Sequence, residues 1–104
     1  MRRTVASLPM LVIARWLARD DEVTAVEAAL ARLVPAARAE PGVLAFDVHR
    51  DPQDPRVFVL VERFRDLAAH DAHVAAEHTR RHAIEDALPR LVHREREVLS
   101  EWEP

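Results

Sequence analysis

Val43-Leu-Ala-Phe-Asp-Val-His49, Asp51-Pro-Gln-Asp-Pro55 and Val57-Phe-Val-Leu-Val-Glu-Arg-Phe64 decide the fold. Two apolar, β-branched runs flank a short polar segment that carries two prolines and two aspartates. Proline pre-sets a turn dihedral and aspartate bonds the backbone just ahead of it, so the segment reads as a turn. The flanking runs then read as the arms of a β-hairpin. Leu44, Phe46 and Val48 fall on one face of the first arm. The second arm lacks strict alternation, as expected of a strand covered on both sides.

Upstream, Leu8 to Ala18 (LPMLVIARWLA) is nearly all apolar and reads as another strand. Val12, Ala14 and Trp16 share one of its faces, and Leu11, Ile13, Arg15 and Leu17 the other. Asp20 and Asp21 are candidate helix N-caps. Val23, Val26, Leu30, Leu33 and Val34 recur at helical spacing and mark an amphipathic helix. Pro35 is expected to kink it or split off its last turn. Gly42, the only glycine, is expected where a side chain would not fit.

Downstream, Asp66 can cap a helix through Leu67, Ala69, Ala72 and Val74, with a break at His78-Thr79 and a second helix through Ile84, Ala87 and Leu88. Leu91 to Trp102 reads as a last, long strand. The order is β-α-β-β-α(α)-β, the split βαβ pattern of ferredoxin-like α+β folds, with a four-stranded antiparallel sheet and helices on one face. Leu11, Ile13, Val43, Ala45, Val57, Val59 and Val61 then lie on the opposite face. That is too much apolar surface to leave wet, so a homodimer built sheet against sheet is expected.

Composition narrows the function. At 104 residues, one domain is expected over 1–104, with residues 1–7 as a flexible leader. The apolar stretch behind Arg2 and Arg3 is too short for a signal peptide or a membrane span, so a cytoplasmic protein with no membrane partner is expected. A net charge of −3 disfavours nucleic acid as a partner. With no cysteine, disulfides, thiolate catalysis and cysteine-type zinc sites are ruled out.

The order of several short motifs resembles the antibiotic biosynthesis monooxygenase family. They are Arg38-Ala39-Glu40-Pro41-Gly42 after the first helix, Phe46 on the next strand, the acidic Pro-containing hairpin Asp51–Pro55, Glu62-Arg63-Phe64-Arg65-Asp66, and the His73/His78 pair. The resemblance spans Leu11 to Leu99. It implies a dimeric α+β barrel with a pocket between sheet and helices. It also implies oxidation of a hydroxylated aromatic or quinol-like substrate by O2, without metal or flavin. Relatives often carry Trp at Phe64 and Tyr at Phe46, and with no tyrosine in the chain a tyrosine-assisted proton transfer is excluded. Where heme-degrading relatives place their Asn, Trp and His, this chain aligns Ala14, His73 and the neighbourhood of Ala83, so heme is not expected as a cofactor.

On this reading His73 and His78 are the catalytic candidates, since a neutral imidazole suits removal of a phenolic proton near pH 7. The bland alternative is that they hold the helix break. His78 and His82, four apart, could share a metal with Glu77 or Glu85, but no third ligand is evident, so no metal is expected. Glu62 interrupts an apolar strand: it would orient a ligand, or pair with Arg15 or Arg63. Trp16, Phe46, Phe58 and Phe64 would line an aromatic pocket or form ordinary core. With His82 and Glu62 they complete the substrate-binding candidates. Arg94-Glu95-Arg96-Glu97 reads as a solvated, paired strand face, and Trp102 as a seal on the dimer or barrel end. A non-redox isomerase or cyclase, and a non-catalytic ligand-binding dimer, are the alternatives on the same fold.

Overall fold

In the computed structural model, which describes residues 4–104, the chain runs β1 (Met10–Ala18), α1 (Val23–Arg38), β2 (Val43–Asp51), β3 (Asp54–Phe64), α2 (Leu67–Ala75), a π-helical segment (Thr79–Ala87) and β4 (Leu91–Ser100). The sheet is antiparallel with order β2-β3-β1-β4, the ferredoxin-like α+β arrangement expected from the strand and helix order. The hairpin turn is Pro52-Gln53, tightened by the Gln53 N–H donating to Asp51 Oδ1 at 2.8 Å. Of the expected leader, residues 1–3 lie outside the described residues, and Val5–Ser7 forms a 3₁₀ turn rather than loose chain.

Met10, Val12, Ala14, Trp16 and Ala18 on β1, with Phe58, Leu60 and Phe64 on β3, face the helices and are buried. Across the interface α1 presents Val26, Ala29, Leu30, Leu33 and Ala37, the apolar stripe of an amphipathic helix. The helix continues unbroken through Pro35 to Arg38. Neither Asp20 nor Asp21 caps it: both fall in a 3₁₀ turn, Asp20–Glu22, that leads in. Two sequence expectations fail at the start of β2. Val43 pairs with Phe64 and Ala45 with Arg63, leaving Leu44 as an extra, bulged residue. Val43 therefore turns inward to the core, and Leu44 outward, 51% exposed.

Asp66 caps α2 as expected, accepting from the Ala69 N–H at 2.9 Å. The break comes earlier than His78-Thr79: Ala76 is already extended (φ −66°, ψ 145°). The second helix is wound as a π-helix, whose buried face carries Thr79, Ala83 and Ala87. Nine residues of π-helix is long for a form usually seen as single-turn bulges, often at functional sites.

Gly42 is required for space, not for a left-handed dihedral, since no glycine in the described residues has positive φ. A Cβ there would stand 2.3 Å from Ala69 Cβ on the first turn of α2. Gly42→Ala is expected to cost about 1–3 kcal/mol, the usual range for overpacking. Ala69→Gly should recover part of the loss. Urea unfolding of the two single variants and the double checks this, and additive single effects would contradict it.

Candidate active site

The core is interrupted where Glu62 points from β3 toward the helices. Leu60 on one side belongs to the larger apolar cluster under α1. Phe64 on the other belongs to a smaller one with Met10, Val12 and Ala69 under α2. Glu62 is 7% exposed, and burial pushes its carboxyl up to about 7. Arg96 acts against that rise, and Glu40 adds to it. Neither partner expected from sequence is in place: Arg15 lies on the opposite face of the sheet, and Arg63 pairs with Glu101 at 3.1 Å.

Glu62 instead faces His73, with Oε1 3.7 Å from Nε2. The other ring nitrogen, Nδ1, is 2.7 Å from Glu40 Oε2, and the same oxygen is 2.7 Å from His78 Nε2. A row of titratable groups thus runs Glu62, His73, Glu40, His78, from the buried interior to the half-buried rim. The His73 ring packs between Phe46 and Phe64, with centroids 5.3 Å from each. Burial holds its pKa below the ordinary 6.5 despite the bond to Glu40, so the imidazole is neutral at pH 7. With Glu40 accepting, the proton sits on Nδ1 and the Nε2 lone pair faces Glu62.

The backbone at this point is tied by Thr79, whose hydroxyl donates to the His73 carbonyl at 2.6 Å. The helix break is therefore held by Thr79, while His73 Nδ1 and His78 Nε2 both turn to Glu40. Glu40, His73 and His78 offer one ligand atom each within 4.8 Å of one another, a set that zinc could use. The 2.7 Å separations are those of hydrogen bonds, however. Two ligands at about 2.0–2.1 Å from a tetrahedral zinc stand roughly 3.3 Å apart.

A cavity of about 180 Å³ opens beside Glu62, between the sheet and the helical layer. Its wall is mostly apolar: Ala14, Trp16 and Leu60 from the sheet, Leu33 from α1, Ala83 and Ile84 from the π-helical segment. Its polar lining comes from Glu62 of β3, Thr79 of the π-helical segment, and Arg94 and Arg96 of β4. A cavity of about 150 Å³ admits benzene, so this one suits a flat aromatic of one or two rings.

Of the sequence candidates, Trp16 and Glu62 line this cavity. His73 stands directly behind Glu62. His78 and His82 line a separate surface cleft with Glu77 and Arg81. Phe46 and Phe64 are core residues holding His73. Phe58 lies under the Arg50 guanidinium, 4.1 Å from ring centroid to Cζ, on the far side of α1. The four aromatics share a sheet face without sharing a pocket. Trp102 is 82% exposed and seals nothing within the chain. The Arg94–Glu97 run is exposed throughout, as expected of a solvated face, with Arg94 and Arg96 opposite Trp16 and Ala14 on the cavity side and Glu95 and Glu97 opposite Arg15 and Ile13. Glu40 carries no site signal in the sequence beyond its place in the Arg38–Gly42 motif.

A ferredoxin-like sheet carrying a buried carboxylate, with an apolar cavity between sheet and helices, defines an α+β protein with a candidate ligand site beside Glu62. The chain matches the family described as "Antibiotic biosynthesis monooxygenase" over residues 9–97, and it belongs to that family. It is 36% identical over 70 residues, 67% of this chain and 68% of the other, to "Putative monooxygenase Rv0793" of Mycobacterium tuberculosis. The fold is similar to the crystal structure of PA3566 from Pseudomonas aeruginosa, at 33% identity, TM-score 0.82, and coverage of 94% of this chain and 98% of that one. It is similar also to the structure of Rv0793, at 28% identity, TM-score 0.83, and coverage of 92% and 97%. Among the described residues no helix is long and apolar enough to cross a membrane.

Proposed function

We propose that the chain is a cofactor-independent monooxygenase that deprotonates a hydroxylated aromatic or quinol-like molecule in the Trp16–Glu62 cavity. The observation that carries this reading is Glu62: a carboxylate at an apolar cavity wall, raised to about 7, with a neutral imidazole behind it. A base works best when its pKa lies near the working pH. Glu62 takes the proton from the substrate, and His73 shares it while Glu40 steadies the imidazolium. The deprotonated, electron-rich ring then supplies electrons to O2, forming a C–O bond and a peroxide. The O–O bond breaks as the substrate carbon loses its hydrogen and becomes a carbonyl, and the second oxygen leaves as water. The substrate is the reductant throughout. The family membership and the name of the Mycobacterium tuberculosis relative support this class of reaction.

The same base pair would also serve a proton-transfer isomerase. Turnover of a quinol-type substrate in strict absence of O2 would favour that second reading.

We propose further that the functional unit is a homodimer. Leu11, Ile13 and Leu17 of β1 and Val59 and Val61 of β3 lie together on the sheet face turned away from the helices, each only partly covered. A second copy of the same face is the simplest cover. Light scattering at micromolar concentration is expected to give twice the chain mass, and Ile13→Arg to give the monomer. A monomeric wild-type protein would contradict this assignment.

A further inference from the structure

The geometry points to a substrate that carries a second, anionic group, a carboxylate or its equivalent, held by Arg94 and Arg96 while its hydroxylated ring lies between Trp16 and Glu62. This deepens the proposed function and rests on the reading of that cavity as the substrate site. Both arginines stand on β4 at alternate positions, roughly 7 Å apart along one face. They are the cross-strand partners of Trp16 and Ala14, which line the apolar wall. Both side chains are exposed on the edge strand, yet they form part of the lining of a mostly apolar cavity. Arg96 Nη2 lies 2.7 Å from His70 Nε2, which anchors that side chain at the cavity rim. Arg94 has no ion-pair partner among the described residues. Glu62 lines the same cavity and feels the charge of Arg96, and when protonated it leaves the two cations without an opposing charge in that lining.

A guanidinium binds a planar carboxylate through two parallel N–H donors, so an aromatic acid fits the pair better than a neutral ring does. The cavity's size suits one or two rings, and the presence of Arg94 and Arg96 in its lining puts them within reach of a ring substituent. Glu62 and the arginines then read opposite ends of one molecule, which fixes the orientation of the ring toward the base.

The test is equilibrium binding of 1-hydroxy-2-naphthoate against 1-naphthol, under nitrogen so that no turnover enters. Trp102→Phe protein leaves Trp16 as the single fluorophore. The acid is expected to quench Trp16 at least 10-fold more tightly than the neutral phenol, with the preference shrinking as salt rises. Arg94→Gln should remove most of the preference and Arg94→Gln/Arg96→Gln all of it, with 1-naphthol affinity unchanged in both. Equal affinity for the two probes, or a preference that survives the double variant, would overturn the assignment. Circular dichroism of each variant guards against unfolding, and Arg94→Gln alone spares the His70 contact. Because only binding is measured, an oxygenase reading that fails leaves this result standing, and the converse also holds.

Discussion

Glu62→Gln is expected to lower turnover of an oxidisable phenolic substrate by roughly 10²–10⁴-fold, the usual contribution of a general base. Gln keeps the shape of Glu and its capacity to bond His73, but it has no lone pair basic enough to take a phenolic proton. The loss should fall on kcat, with little change in the binding of a non-reactive aromatic such as naphthalene. The pH profile of the wild-type protein gives an independent reading. The base is active when ionised, so kcat/KM is expected to rise as pH increases through about 7, where the Glu62 carboxyl titrates. Profiles of wild type and variant on one substrate check both statements. A variant that retains the profile of the wild type would remove Glu62 from the chemistry.

The same carboxylate is expected to make the protein less stable as pH rises. Its pKa is about 7 when folded and 4.5 in the unfolded chain. Between those values the folded protein keeps a proton that the unfolded chain has released. Unfolding is therefore favoured increasingly from pH 4.5 upward, and the penalty levels off above about 7. At roughly 1.4 kcal/mol per pKa unit, the full effect is about 3 kcal/mol. Glu62→Gln removes it, so the variant should gain about that much on the wild type between pH 5 and pH 8. For a chain of this length this corresponds to a relative rise in Tm on the order of 10 °C. Burial also depresses His73, which acts in the opposite direction below pH 6.5, and comparing the two proteins at each pH largely cancels that contribution. Parallel stability curves for wild type and variant would contradict the raised carboxyl. A base kept at the cost of stability is what a functional carboxylate in an apolar wall implies.

The sheet and its order were legible because the signals were local. A Pro-rich acidic turn between two apolar runs defines a hairpin, and a strand with an unbroken apolar run, such as Val57–Val61, belongs in the middle of the sheet. Side-chain parity was legible too: Val12, Ala14 and Trp16 do share the buried face. Parity failed at Val43 and Leu44, where one bulged residue reverses the pattern. The π-helical winding from Thr79 was invisible because its composition suits an α-helix equally well. Glu62 was recognised as an anomaly, a charge within an apolar strand. Its partner was not, since His73 is brought to it by the packing of α2 against β3. The share of Arg94 and Arg96 in the cavity lining was not legible for a related reason: an exposed Arg-Glu run shows which of its sides meets a cavity only once the neighbouring strand and the helices above it are placed.

Oxygen uptake by metal-stripped protein is the measurement that tests the central claim most directly. Anthrones, dihydroxynaphthalenes and quinols would be offered to wild type, to Glu62→Gln and to a His73→Ala/His78→Ala double variant. Uptake by the wild type above the spontaneous rate, at least 100-fold lower in Glu62→Gln and reduced in the histidine variant, is the predicted result. Uptake that Glu62→Gln leaves intact, uptake that returns only with added metal, or the absence of protein-dependent uptake from every substrate would contradict it.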